Sequence, residues 1–449
     1  MGSHWIVRPV RARTIAAVAA ASPGAAEMAR IQGRVVIIGQ GYVGLPLAVR
    51  AAEAGFDVIG FETDARKVKL LDAGVSHVED ITDERLAGVV SEGRYRASVD
   101  PDDLEGFDVA VISVPTPMGD GVPDLSYIEA AATTIAPRLS PGSCVILEST
   151  TYPGTTEELV GPILEAGSGL RVGEDFHLGY SPERIDPGNE TWRLENTPKV
   201  VSGVDAASLA AVQAFFDRVV ERTVPVTGTR EAELTKLLEN TFRHVNIALV
   251  NELAVFAHDL GIDVWEAIDA ASTKPFGYLR FTPGPGVGGH CLPIDPSYLS
   301  WQVKRSLGRA FRFVELANDV NEHMPDYVVR RCQALLNDVS LSVKGSDVLL
   351  FGLAYKANTG DARETPTRGV VEGLVALGAN VSIADPHVAD HQFPDGVARV
   401  EGTADDVAAA DLAVYLVDHD AFDRDALTAT DTPVLDTRRV LKGARVQYL

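Results

Sequence analysis

The sequence predicts an α/β protein containing two doubly wound parallel sheets with a helical stretch between them. Three observations carry that expectation. Short β-branched runs alternate with helical patterns over the first third, a glycine-rich turn follows the first such run directly, and the alternation resumes over the last third. A chain of 449 residues has room for roughly two to three cores.

The elements follow in order. Residues 1–30 carry Arg8, Arg11, Arg13 and Arg30 against Glu27 alone and are expected to form a flexible extension. Val35–Ile38 has the continuous apolar character of a strand buried on both faces. It runs into Gly39-Gln-Gly41-Tyr42-Val43-Gly44 and then a helical pattern through Leu47, Ala48, Ala51 and Ala52. Strand before and helix after turn a weak glycine pattern into a specific one. Gly39 permits the tight turn, Gly41 the close approach of a pyrophosphate, and Gly44 the packing of helix on strand. The second strand, Val58–Phe61, ends at Glu62. An acid there accepts both ribose hydroxyls and repels a 2′-phosphate, which selects NAD over NADP. Strands at Val109–Val114 and Cys144–Leu147 lead into loops holding Thr116 and Thr150, at the strand ends where such sheets bind ligands.

Glu231 to about Leu260 reads as one long helix. At 100° per residue Lys236, Asn240 and Arg243 share one stripe, a pattern that fits a solvated face as well as a site. A second helix from about Val264 leads to a stretch from Lys274 to Asp295, dense in glycine and proline between Pro283 and Pro293 and expected to be a loop throughout. Cys291 stands near its end, after Gly288-Gly289. Its polar company suits a nucleophilic thiolate, although spacing alone leaves that open. Cys144 and Cys332 lie in apolar patterns and read as small core hydrophobes. The metal spacing CxxC does not occur, and no metal is expected. Asp347–Phe351, Asn380–Ala384, Leu412–Leu416 and Val434–Leu435 are the strands of the second sheet. Lys356 and Arg363 follow the first of them, placed to meet an anion.

Composition bounds the function. Lys+Arg 40 against Asp+Glu 63 gives a formal charge of −23, which disfavours nucleic acid and anionic membranes as partners. Three cysteines and the lack of an apolar run of roughly 20 residues point to a reducing, cytoplasmic setting.

Between about residues 33 and 445 the chain resembles the UDP-glucose/GDP-mannose dehydrogenase family of NAD-dependent nucleotide-sugar 6-dehydrogenases. The motifs are Gly-Tyr-Val-Gly-Leu-Pro-Leu-Ala48, Val-Pro-Thr-Pro117, Ser-Pro-Glu-Arg-Ile-Asp-Pro-Gly188, Lys236-Leu-Leu-Glu-Asn240, Gly-Gly-His-Cys291 and Gly-Leu-Ala-Tyr-Lys356. The resemblance implies two Rossmann-like domains joined by the long central helix, through which a homodimer forms. Its domains are NAD-binding over 31–225, central over 226–325 and UDP-sugar-binding over 326–449.

The resemblance also implies roles. Cys291 looks like the nucleophile, Lys236 and Asn240 like the oxyanion and water ligands, and Asp295 or Glu183 like the proton carrier. Thr150 resembles a water-positioning threonine that also lies near the cofactor. Lys67 and Arg363 resemble cofactor-side cations, joined there by Gly39, Gly41, Tyr42, Val43, Gly44, Glu62 and Thr116. Lys356 resembles a sugar-binding lysine, with Gly288 and Arg184 in the same motifs. Arg243, His244, Lys274 and Arg280 are candidates to line the sugar pocket, and Arg438 to reach it from the last domain. Pro187 stands where UDP-glucose enzymes commonly carry a second glutamate. The motifs look more like the UDP-N-acetylhexosamine branch, UDP-N-acetylglucosamine above all. UDP-glucose and UDP-N-acetylmannosamine are the rival substrates. A binding or regulatory protein without chemistry is the non-enzymatic rival, and the presence of Cys291 and Lys236 speaks against it.

Overall fold

In the computed structural model the described residues run from Gly33 to Leu449. Glu79, Asp120, Pro187, Gly188, Glu190 and His290 fall outside the description, as do the side chains of Cys291 and Ala426. The expected extension over 1–30 and the departure at Pro187 therefore lie outside the described residues. The chain divides into two compact units. One runs to Gly119 and resumes over Pro123–Lys236; the other takes Asp120–Val122 and Leu237–Leu449.

The first unit is built on eight strands: β1 (Arg34–Ile38), β2 (Asp57–Phe61), β3 (Tyr95–Ser98), β4 (Val109–Ile112), β5 (Cys144–Leu147), β6 (His177–Tyr180), β7 (Lys199–Gly203) and β8 (Thr223–Pro225). Their order is β8-β7-β6-β5-β4-β1-β2-β3, and the order reverses at β1. The described pairings are parallel except β6 with β7, where Gly179 faces Gly203. Helix α1 (Gly44–Glu53) and helix α2 (Ala206–Val219) cover one face. Alternation explains the apolar run of β1. Val35 and Ile37 enter the core shared with those two helices, while Val36 and Ile38 enter the core on the opposite face.

Helix α3 (Thr229–Asp259) passes from the first unit into the second. Its expected span over Glu231–Leu260 agrees within two residues at either end. Helices α4 (Val264–Ser272), α5 (Cys291–Leu307), α6 (Arg312–Glu322) and α7 (Met324–Asp338) follow. The expectation of a loop through Asp295 is corrected here: the helix starts at Cys291. Pro293 sits in the first turn, where its missing N–H has no intrahelical acceptor, so the proline that looked like a breaker is tolerated there. Pro296 lies further inside the same helix.

The second unit's sheet is β9 (Asp347–Phe351), β10 (Asn380–Ala384), β11 (Ala398–Val400), β12 (Leu412–Tyr415), β13 (Val434–Asp436) and β14 (Val446–Tyr448). It is wholly parallel in the order β11-β10-β9-β12-β13-β14, so its order also reverses at the first strand. The two sheets open alike. Gly39 after β1 and Gly352 after β9 both take positive φ, at 93° and 96°. Each also donates its amide over 2.8 Å to the carbonyl ending the neighbouring strand, Phe61 or Ala384.

One buried acid anchors the start of α3. Glu233 is fully buried and accepts from Gly154 N at 2.6 Å, Thr156 N at 2.9 Å and the Thr156 hydroxyl at 2.7 Å. Burial nevertheless dominates and raises its carboxyl from 4.5 to about 7. The neutral acid is the form the fold favours. Its contribution is complete below pH 4.5 and is lost as pH rises through about 7, at most about 3 kcal/mol. Thermal unfolding followed from pH 4.5 to 8 should therefore show a loss in the wild-type chain that Glu233→Gln lacks. Parallel curves for the two proteins would contradict this.

Candidate active site

The first unit's ligand edge is built at the β1–α1 turn. A Cβ on Gly39 would lie 2.2 Å from Ser113 O, and one on Gly44 would lie 1.9 Å from Gly39 O. Both positions therefore exclude side chains. Gly41 is different in kind, since nothing lies within 4 Å of where its Cβ would be. That open approach at a helix N-terminus is what a pyrophosphate needs. At the end of β2 the Glu62 carboxylate is held by Thr63 N at 2.9 Å, Asp64 N at 3.2 Å and Gln40 N at 3.4 Å. Lys67 Nζ is 3.7 Å from it. Tyr42 and Val43 are half-buried in the same turn, Thr116 is buried after β4, and Thr150 is half-buried after β5. The cradle, the fixed acid and the neighbouring cation fit a dinucleotide with free ribose hydroxyls.

Further along the same sheet edge stands a buried ion pair. Lys236, 5% exposed, donates to Glu183 Oε2 at 3.0 Å and to Glu183 O at 2.9 Å. The other carboxylate oxygen of Glu183 accepts from Ile185 N. The stripe of Lys236, Asn240 and Arg243 is thus not a uniform solvated face. Lys236 is buried, Asn240 half-buried and Arg243 exposed. Arg184 turns away from Glu183 to donate to Pro198 O at 2.6 Å.

In the second unit Asn240 donates to Asp295 Oδ2 at 2.5 Å, and Asp295 is 2% exposed in the first turns of α5. The glycines before Cys291 are dictated by close packing. A Cβ on Gly288 would lie 2.7 Å from Glu364 O, and one on Gly289 would lie 2.7 Å from the Tyr355 ring. Gly289 N also donates to Arg363 O at 3.3 Å. These contacts seat the glycine pair on the segment carrying Lys356 and Arg363. That segment is pinned by a buried acid and histidine. Asp385 Oδ2 accepts from Leu353 N at 2.7 Å and Ala354 N at 2.9 Å, and lies 3.1 Å from His419 Nε2. His419 Nδ1 accepts from Asn358 N at 2.9 Å, which leaves Nε2 as the protonated nitrogen. Burial alone raises the Asp385 carboxyl, but His419 and the surrounding amides hold it below the usual carboxylate range.

The remaining expected residues are placed less centrally. Arg363 closes a fork on Asp361. His244 is buried, with Nε2 at 2.7 Å from Asn318 Oδ1. Arg280 is exposed and paired with Asp269, and Lys274 is exposed, 5.1 Å above the Phe276 ring. Arg438 donates to Leu416 O at 2.7 Å, and a Cβ on Gly284 would come within 2.9 Å of its Nη1. Cys144 and Cys332 are buried core thiols, each pushed up to about 12 by burial. Sequence reasoning missed Glu148, Lys199, Glu233, Asp385 and His419. The available signal was an acid directly after an apolar strand run, present at Glu148 and Asp385 as it was at Glu62.

A glycine cradle at the switch point of a doubly wound sheet, with an acid directly after the second strand, defines a dinucleotide-binding protein. The family models agree over most of the chain. Residues 33–220 match the NAD binding domain of the UDP-glucose/GDP-mannose dehydrogenase family, 230–323 its central domain and 349–443 its UDP binding domain. The UDP-N-acetyl-D-mannosamine dehydrogenase of Pyrococcus horikoshii is 37% identical over 87% of this chain and 90% of its own. The NDP-N-acetyl-D-galactosaminuronic acid dehydrogenase of Ralstonia solanacearum is 35% identical over 92% and 97%. The solved structure of the Pyrococcus horikoshii UDP-D-ManNAc dehydrogenase superposes with a TM-score of 0.84 at 34% identity, covering 92% of this chain and 98% of that one. The chain belongs to the UDP-glucose/GDP-mannose dehydrogenase family and is an NAD-dependent nucleotide-sugar 6-dehydrogenase.

The two kinds of glycine separate binding from folding. Gly41→Ala adds a methyl only to open space on the ligand's path, so the melting temperature should hold while the Kd for NAD rises tenfold or more. Gly44→Ala drives a methyl into backbone and should lower the melting temperature by several degrees. Equal effects of both variants on Tm would refute the distinction.

Proposed function

We propose that the protein oxidises the C6 hydroxymethyl of a UDP-N-acetylhexosamine to the carboxylate, a four-electron reaction using two NAD+ in turn. The observation that supports this reading is the buried Lys236–Glu183 pair, a fixed ammonium of the kind that can serve as counter-charge to a sugar oxyanion. The motifs around Glu183 and Cys291 support UDP-N-acetylglucosamine. The names borne by the relatives favour the mannosamine epimer as the second reading.

Bound in the glycine cradle, NAD+ supplies the hydride acceptor for both oxidation stages. Glu183 or Asp295 takes the hydroxyl proton. Lys236 stabilises the oxyanion at each stage, worth roughly 3–4 kcal/mol for one preorganised donor. Cys291 opens helix α5, the end of a helix where a thiolate is favoured. Its sulfur traps the aldehyde as a thiohemiacetal, which on the second oxidation becomes a thioester. Asn240, fixed by Asp295, and Thr150 hold the water that hydrolyses that thioester to acid and free thiol. Lys356 and Arg438 serve the sugar nucleotide, and Arg243, His244, Lys274 and Arg280 are assigned to the sugar's side of the pocket.

The same reading makes the protein a cytoplasmic homodimer. Leu238, Phe242, Leu249, Leu253, Phe256 and Leu260 are each between 46% and 72% exposed. At 100° per residue all six fall on one narrow stripe along α3 and its end. A second copy of that stripe is the simplest cover for so long an apolar row. No described helix is long and apolar enough to cross a membrane.

A panel of UDP-sugars assayed for NADH should show UDP-N-acetylhexosamines turned over well ahead of UDP-glucose, with two NADH formed per sugar consumed. One NADH with free aldehyde as product would sink the thioester route. Cys291→Ser should cut acid formation at least a hundredfold while NAD still binds. Leu253→Asp should halve the mass measured by light scattering, and an unchanged mass would remove α3 from the interface.

A further inference from the structure

The first unit buries a second lysine, Lys199, against a glutamate, Glu148, and the mechanism uses neither. Glu148 follows β5 and is 1% exposed; Lys199 opens β7 and is 3% exposed. Lys199 Nζ donates to Glu148 Oε1 and, at 3.0 Å, to Pro182 O. Its ammonium also lies 5.0 Å from the centre of the Phe216 ring. The next carbonyl along the chain, Glu183 O, is the one that Lys236 holds. Two buried ammoniums thus grip consecutive carbonyls of one short segment, and that segment carries Glu183, one of the two carboxylates proposed for proton transfer. Glu148 Oε2 has no hydrogen-bond partner among the described residues, although it is fully buried. Leaving a buried charged oxygen unmatched is costly, and an apolar pair would hold β5 to β7 at least as well. The charges therefore call for a purpose other than adhesion.

We propose that Glu148 and Lys199 are a positioning pair for the proposed reaction, fixing the Pro182–Glu183 segment and setting the charge balance around Glu183 and Lys236. The inference rests on the functional reading above and deepens it. The groups that face Glu148 are Lys199 from β7, Glu183 from the segment after β6, and Lys236 from α3. Burial pushes the Glu148 carboxyl up, while Lys199 and Lys236 pull it down; with Glu148 ionised against Lys199, two cations and two anions make a neutral quartet. Removing the charge of Glu148 leaves one surplus positive charge, so Glu183 holds its proton less tightly and Lys236 gives its proton up more easily. Removing the charge of Lys199 reverses both changes.

The test is a charge cycle with Glu148→Gln, Lys199→Met and the double variant, with Lys199→Arg as the charge-retaining control. The Glu183 carboxyl is titrated by 13C NMR in glutamate-labelled protein, assigned with Glu183→Gln, alongside pH profiles of kcat/KM. Glu148→Gln should move the Glu183 midpoint and both limbs of the profile to lower pH by on the order of one unit. Lys199→Met should move them upward, and the double variant and Lys199→Arg should lie near wild type. In Glu148→Gln kcat should fall about tenfold while the KM for NAD holds, a loss typical of a misplaced catalytic group. If Lys199→Met does not fold, the downward shift in Glu148→Gln against an unmoved Lys199→Arg still decides the matter. Shifts in the same direction, or falls in activity with the titration unmoved, would overturn the inference whatever the turnover. A wild-type chain that oxidises no UDP-sugar while its Glu183 midpoint still moves in opposite directions would retire the functional reading and leave the coupling standing.

Discussion

An ammonium can stay charged inside a protein only where fixed oxygens replace its water, and that requirement governs the first unit. Lys236 is held by a carboxylate and a carbonyl of the same residue, Glu183. To supply those oxygens β6 must end where it does, α3 must start close to the sheet edge, and the segment after β6 must be rigid. Glu233 fixes the first turns of α3 through the backbone of Gly154 and Thr156, and Lys199 fixes Pro182. The apolar strands beneath are the platform for this arrangement, their alternate residues filling a core on each face.

The two sheets use the same opening for opposite ends. After β1 the acid of the next strand, Glu62, is mostly engaged with Thr63 and Asp64, and the turn keeps open space at Gly41. After β9 the corresponding acid, Asp385, is one methylene shorter and takes both following amides, Leu353 N and Ala354 N, for itself. His419 seals that arrangement from the other side. The first turn remains a receptor for phosphate, whereas the second is capped internally and becomes a rigid base for the Lys356 segment.

Much of this architecture was legible in the residues. Val35–Ile38, the glycines after it, Glu62, and the strands at 347–351 and 380–384 announce themselves because apolar period, turn chemistry and ligand chemistry agree within a few residues. The edge strands β3, β8, β11 and β14 did not, since short strands such as Tyr95-Arg-Ala-Ser98 are half polar and draw their order from a neighbour. Long-range charge pairing was equally invisible. Lys236 finds Glu183 across 53 residues and Lys199 finds Glu148 across 51, so each lysine looks solvated until the fold is formed. The start of α5 was hidden for a local reason, because Pro293 reads as a breaker except within a helix's first turn.

The internal capping after β9 also fixes how the two turns respond to ionic strength. A phosphate at the β1 turn would meet backbone dipoles that cannot move away. At the second turn the amides are already spent on Asp385, so an anion there would have to be met by side-chain cations, and added salt competes with such charges directly. Charge held by backbone amides and charge held by side chains differ in their response to salt, so ligands at the two turns would not loosen together.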